Sequence, residues 1–179
     1  MPTDAPATIS LALFRRSNDP NVPRSYHFGV VVSRGAPHGL VDLYEIDNPG
    51  SGWELQHAVM GSARGQVMLE DLRTLVGCIV VGAAEGMSVR EVGEFISQYG
   101  PSPREDDWLV PGKNEWTCAS WALRVVADLN STELLQPTIS VGLDKLYYLT
   151  YRAGFSFQDG ELGAVKDGVR TAMLGDVLS

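Results

Sequence analysis

The chain has 179 residues, of which 44% are hydrophobic and 20% charged, a size and composition at which one hydrophobic core is usual. Its net charge of -8 argues against nucleic acid or an anionic membrane surface as the main partner, since both need clustered Lys and Arg. No apolar stretch approaches the roughly 20 residues that span a bilayer, and the first residues lack the basic start of a secretory signal. We therefore expect one globular domain over residues 1–179, cytoplasmic and without a membrane span.

The first half of the chain has the pattern of a β-sheet. Five runs are rich in β-branched and aromatic residues or alternate in polarity, and turn-forming segments such as SNDPNVP and NPGSG separate the early ones. The last run is nearly all apolar, as expected of a central strand covered on both faces. The predicted strands are Thr8 to Phe14, Ser25 to Ser33, Leu40 to Asp47, Trp53 to Val59 and Leu75 to Gly82.

The second half carries two helical patterns. Ser88 and Glu91 have the spacing of a capping box and open a helix that is predicted to end near Tyr99 and Gly100. A second helix, capped by Asn114 or Thr117, has an apolar stripe of helical spacing at Cys118, Trp121, Ala122, Val125 and Leu129.

The remaining segments give a weaker pattern. Val141 to Tyr151 fits both the helical and the strand period, and the tail after Asp159 is weakly helical at best. The expected fold class is α+β, with an antiparallel sheet of about five strands and helices packed on it.

Cys118 is the candidate for nucleophilic chemistry. It lies in the first turn of its predicted helix, where the helix dipole and free backbone N–H groups stabilise a thiolate. Cys78 lies on an apolar strand without polar neighbours and is predicted to be structural. Because cysteine is among the most buried residue types, a structural role for Cys118 is the competing interpretation.

An imidazole beside the sulfur would complete a Cys/His dyad, and the chain has three histidines. His27 ranks first, because it lies inside a predicted strand where a polar ring needs a partner. His57 ranks second, and His38 in the turn APHG is expected to face solvent. The alternative for His27 is a structural bond to a buried carbonyl.

Two short segments carry a family resemblance. HFGVVV at His27 and WTCASWAL at Cys118 stand 91 positions apart, with a predicted sheet before the helix. This order resembles the circularly permuted papain-like class, including the PPPDE and LRAT-type proteins. The segment LVGCIVVGAAEGMSVREVGEFI and the W-x-C-x-x-W-x-L helix are also similar to fungal proteins of unassigned activity. Together these resemblances span roughly residues 25 to 130.

The resemblance implies a permuted papain-like fold and a role for each residue. Cys118 would attack an acyl or isopeptide carbonyl with the assistance of His27, and the Cys118 backbone N–H would serve as oxyanion donor. A third, orienting group would come from the neighbouring strand. Asp42 and Glu45 point to opposite faces of that strand, so only one of them can face His27, and Glu45 is the predicted one.

Substrate contacts are predicted from aromatic residues near the cysteine. Trp108, Trp116 and Trp121 are expected to line a substrate pocket, against the alternative of ordinary core packing. The segment GAAEG lacks the Lys-Ser/Thr of a P-loop and the third glycine of a dinucleotide fingerprint, and the cysteines and histidines lack zinc-ligand spacing. We therefore predict no cofactor and no metal.

The leading functional prediction is a small thiol hydrolase or acyltransferase that works through an acyl-enzyme on Cys118. Its partner would be a small-molecule or peptide substrate. Two alternatives stay open. One is a non-catalytic domain that binds a small apolar ligand or a protein in a groove lined by the tryptophans. The other is a biosynthetic enzyme that uses His27 and a carboxylate for proton transfer on a bound small molecule, with the cysteine incidental.

Overall fold

A computed structural model describes residues 6–19, 21, 23–57 and 66–178. The end of the predicted strand Trp53 to Val59, at residues 58 and 59, lies outside the described residues. The described elements comprise nine strands, a short 3₁₀ helix at Leu69–Asp71 and four α-helices. In chain order these strands and helices are β1 (Ala7–Arg15), β2 (Tyr26–Arg34), β3 (Leu40–Asp47), β4 (Glu54–His57), β5 (Gln66–Met68), β6 (Leu75–Ala84), α1 (Val89–Ser97), α2 (Cys118–Ser131), β7 (Leu135–Gln136), α3 (Leu143–Gln158), β8 (Ala164–Lys166), β9 (Val169–Met173) and α4 (Leu174–Leu178).

The strands form one mixed sheet in the order β4-β3-β2-β1-β6-β9-β8, with β5 also paired to β3 and β7 to β6. The prediction of an α+β fold is confirmed, but the prediction of about five strands, all antiparallel, is wrong. The described part of the chain has nine strands, and β6 pairs with β9 in parallel. The four additional strands are two to five residues long, too short for the alternating pattern to distinguish them from loops.

The C-terminal region departs most from the sequence prediction. The unassigned segment Val141 to Tyr151 belongs to α3 (Leu143–Gln158), a helix of 16 residues, from its third residue onward. The tail after Asp159, predicted to be weakly helical at best, contains β8, β9 and α4. Helix α3 lies close against β2, because a Cβ atom at Gly154 would come within 2.5 Å of the Tyr26 ring. Among the described helices, none has the length and apolar character needed to cross a membrane.

The two faces of the sheet are covered differently. On one face, alternate residues of β2 such as Phe28 and Val30 pack in the main core with residues of α1, α2 and α3. On the other face, Val31 belongs to a smaller cluster with Phe14, Val67 and Leu69, the last two contributed by β5 and the 3₁₀ helix. The alternation along β2 therefore gives each of its two sides a different environment.

Strands β2 and β3 separate at one end. They are paired only between Val30–Val32 and Asp42–Tyr44, although β2 begins at Tyr26 and β3 continues to Asp47. Strand β4 pairs with the opposite edge of β3, so it does not take the place of β3 beside the separated end of β2. The backbone of β2 near Phe28 consequently has its β3-facing side available to another element.

A buried ion pair anchors the loop between α1 and α2. Arg124 of α2 is 6% exposed and donates hydrogen bonds to the Asp107 carboxylate and to the carbonyl oxygens of Gly100 and Ser102. Its guanidinium also lies over the Trp116 ring, 5.0 Å from the centroid. This loop leads directly to the start of α2, so Arg124 fixes the approach to that helix terminus.

Candidate active site

Cys118 is the first residue of α2, and its position follows from the local sequence. Thr117 has extended backbone angles and caps the helix, with its side-chain oxygen accepting a hydrogen bond from the Ser120 N–H at 3.1 Å. The first backbone N–H groups of a helix have no partner within the helix and carry its positive partial charge. The Cys118 side chain is buried, with 2% of the residue exposed.

Three groups from the separated end of the sheet surround the sulfur. The Arg16 Nη2 donates to Cys118 Sγ at 3.1 Å, the backbone N–H of Phe28 donates to it, and the His27 side chain is hydrogen-bonded to it. The Phe28 N–H is available because β3 does not pair with β2 at this level. The N-terminus of α2 thus inserts its thiol where β2 and β3 diverge.

Glu45 holds the far side of the imidazole. Its Oε1 lies 2.9 Å from Nε2 of the His27 ring, the same ring whose pKa is raised by its bond to the Cys118 thiol. Between these two residues stands Gly29, where a Cβ atom would be 3.2 Å from Glu45 Cγ and 2.9 Å from Leu43 Cδ1. The absence of a side chain at this position gives Glu45 room to cross from β3 to His27.

The charges in this cluster favour an ion pair. Burial by itself raises the pKa of Cys118, but the hydrogen bonds from His27 and Phe28 and the positive charges of His27 and Arg16 outweigh it and lower the pKa to about 7. Burial likewise lowers the pKa of His27, whereas its bonds to Cys118 and Glu45 raise it to about 9. Both shifts are in the direction that favours a thiolate beside an imidazolium, the form in which cysteine nucleophiles react.

Cys78 has the opposite environment. It is fully buried on β6, and burial raises the pKa of its thiol to about 12. An uncharged thiol in an apolar cluster is inert, as is expected of a structural cysteine.

The predicted substrate-contacting tryptophans lie at different depths. Trp108 is half-buried, and its ring centroid lies 6.0 Å from that of Tyr147. The pKa of Tyr147 is raised, mainly by burial and also by the charges of Tyr151 and Cys118. Trp116 is 6% exposed and Trp121 is completely buried in the main core. Of the three, Trp108 therefore remains nearest to the surface, and Trp121 packs as a core residue.

The other two histidines lie in separate clusters. The Nε2 atom of His57 is 3.4 Å from Asp42 Oδ1, and its ring stacks on Tyr44 with the centroids 4.2 Å apart. His38 Nε2 is 2.9 Å from Lys166 Nζ. The structure thus brings His27 to Cys118 and gives His57 a carboxylate partner of its own.

A cavity of about 270 Å³ lies against the His27–Glu45 pair. His27, Glu45 and Arg16 line it together with polar Gln56 and Thr74 and with apolar side chains of both sheet and loop residues. The apolar lining residues are Phe14, Leu43, Val67 and Leu72. Two of the groups that bond the sulfur, His27 and Arg16, therefore also line a space of small-molecule size.

Arg16 is the residue that sequence reasoning missed. It follows the predicted first strand, next to the turn segment SNDPNVP, and nothing in its local pattern distinguishes it from a solvent-exposed cation. The contact with Cys118 joins residues 102 positions apart. It depends on the pairing of β1 with β2, and no local motif in the sequence predicts it.

Comparison of the chain with models of known protein families, with curated proteins and with solved structures gave no match. Within the described ranges, no group of three or more His, Cys, Asp or Glu side chains is arranged to hold a metal ion. The site is therefore interpreted from its own geometry.

Proposed function

We propose that the protein is a cysteine hydrolase or acyltransferase of the permuted papain-like class, with Cys118 as nucleophile, His27 as acid and base, and Glu45 as the group that orients His27. The observation that carries this proposal is the bonding of one sulfur to His27, Arg16 and the Phe28 N–H, with Glu45 on Nε2 of the imidazole. A structural cysteine needs none of these partners.

The chemistry follows from the positions of these groups. The Cys118 thiolate attacks the carbonyl carbon of an acyl substrate, forming the S–C bond while the carbonyl π electrons move to oxygen. The tetrahedral intermediate collapses, the bond to the leaving group breaks, and His27 gives its proton to that group. A thioester remains on Cys118. Water or an acceptor then attacks the thioester, His27 takes the attacking proton, and the thiolate leaves.

Glu45 contributes by fixing the ring and its charge state. A carboxylate on Nε2 holds the imidazole in its orientation beside the sulfur and stabilises the imidazolium form. The backbone N–H groups at the start of α2 would donate to the oxyanion. They have no partner within the helix and lie beside the nucleophile.

The direct test is the formation of an acyl-enzyme. The protein is mixed with p-nitrophenyl acetate, p-nitrophenolate release is followed, and the modified residue is located by peptide mass spectrometry. We expect a burst of one equivalent with the acetyl group on Cys118, no burst in Cys118→Ala, and a strongly slowed burst in His27→Ala. An unmodified Cys118, or an acetyl group elsewhere, contradicts the proposal.

A second candidate function rests on the cavity. His27 and Glu45 both line it, whereas the buried Cys118 does not, so the pair could transfer a proton to or from a bound small molecule without thiol chemistry. Such an activity would be lost in Glu45→Gln but survive Cys118→Ala, whereas the formation of an acyl-enzyme is abolished by Cys118→Ala.

A further inference from the structure

The Arg16 guanidinium forms two hydrogen bonds beside the candidate nucleophile. Its Nη2 lies 3.1 Å from Cys118 Sγ, while its Nε donates to the carbonyl oxygen of Tyr26 at 3.3 Å. The planar guanidinium is thus fixed at two points, and only two of its five N–H donors are used in these bonds.

During acyl transfer, the negative charge leaves the sulfur and develops on the carbonyl oxygen. That oxygen is two bonds from the sulfur and hence within roughly 3 Å of it. A donor that already lies at hydrogen-bonding distance from the sulfur, and that also lines the adjoining cavity, can follow the charge with little movement.

We propose that Arg16 is a catalytic oxyanion donor, which stabilises the thiolate in the resting enzyme and the tetrahedral oxyanion after attack. This inference rests on the proposed acyl-transfer function and adds to it a side-chain donor from the end of β1. Arg16 would supplement the helix N–H groups with a full positive charge, which strengthens a hydrogen bond to a developing anion.

The test separates thiolate formation from oxyanion stabilisation. Alkylation by iodoacetamide needs the thiolate but forms no oxyanion, whereas acetylation by p-nitrophenyl acetate needs both. Both rates on Cys118 are measured against pH for the unchanged protein and for Arg16→Met, Arg16→Lys and Arg34→Met. Arg34 is an exposed cation at the opposite end of β2 and serves as the matched control.

The comparison is made on the high-pH plateau, where alkylation shows that the thiolate is fully formed in every variant. The titratable and charged groups around the sulfur and the cavity are Cys118, His27, Glu45, Tyr147, Arg15 and Arg16. On the plateau we expect alkylation of Arg16→Met to stay within about threefold of the unchanged protein and acetylation to fall by about 10² to 10³, the loss typical of one oxyanion donor.

Arg16→Lys keeps the charge without the planar fork and should recover part of the acetylation rate, and Arg34→Met should change neither rate. Equal plateau rates of acetylation in Arg16→Met and the unchanged protein would overturn the inference and leave the proposed function intact. If the unchanged protein is alkylated but never acetylated on Cys118, the proposed function fails, and the oxyanion role fails with it.

Discussion

Glu45 Oε1 lies 2.9 Å from His27 Nε2, and the carboxylate reaches the imidazole by passing over Gly29. The pair joins two strands whose backbones are no longer paired at this level. A side-chain contact therefore connects β2 and β3 at the place where the ladder hydrogen bonds end, and the orientation of the His27 ring depends on that contact.

Replacing Glu45 by Gln should lower the pKa of His27. The Glu45 charge and its hydrogen bond both raise that pKa, which stands at about 9, and Gln keeps the shape of the side chain without the charge. The shift can be measured by an NMR titration of the His27 ring, with His38 as an internal reference outside the cluster. An unchanged His27 titration would show that Glu45 does not stabilise the imidazolium.

Alkylation of Cys118 should be fast at a pH where ordinary thiols are protonated. The pKa of about 7 predicts that the rate of alkylation by iodoacetamide rises through neutral pH. A free cysteine thiol has a pKa of about 8.5. His27→Ala removes the imidazolium and should raise the pH midpoint of the alkylation rate to that value or beyond. The alkylation rate at pH 6 should then fall by about thirtyfold or more. A His27→Ala profile identical to that of the unchanged protein would contradict the ion pair.

Gly29→Ala should both destabilise the protein and lower the pKa of His27. The added Cβ meets Leu43 Cδ1 at 2.9 Å and Glu45 Cγ at 3.2 Å, and overpacking of this kind costs about 1–3 kcal/mol. The free energy of unfolding is measured in urea, and the His27 pKa is expected to fall because Glu45 is displaced. Gly175→Ala is the control, since no atom lies within 4 Å of its added Cβ.

Arg124→Ala should be strongly destabilising. The change leaves the Asp107 carboxylate, 11% exposed, without its cation, and the loss of one partner of a buried pair costs about 3–5 kcal/mol. Arg90→Ala removes an ion pair with Glu94 from the exposed face of α1 and should have no measurable effect. Equal denaturation midpoints for the two variants would show that Arg124 does not anchor the loop before α2.

The parts of the fold that the sequence predicted share a long, regular pattern. Strands β1, β2, β3 and β6 alternate or remain apolar over eight to ten residues, and the capping box of α1 and the Thr117 cap of α2 follow the predicted local chemistry. The C-terminal strands could not be predicted, because β7 and β9 pair with the distant strand β6. Strand β8 pairs with its neighbour β9 but has only three residues, too few for a recognisable pattern.

The residues of the candidate site also fall into those that the sequence could predict and those that it could not. Cys118 and His27 could be selected because each residue type is unusual in its local setting, at a helix start and inside a strand. The contact of Arg16 with Cys118 depends on where β1 ends relative to β2, in the register that pairs Arg15 with Tyr26. Such a register is set by the packing of both sheet faces, and no short motif encodes it.

The contrast between the two cysteines makes the thiols opposite reporters of the folded state. In the proposed enzyme, the reactivity of Cys118 depends on Arg16, His27 and the Phe28 N–H, so unfolding would return it to the slow labelling of a free thiol at low pH. Cys78 is fully buried with a raised pKa, so the native chain protects it and unfolding exposes it. At one pH, the ratio of label on the two residues would give the ratio of native to unfolded molecules, without any engineered reporter residue.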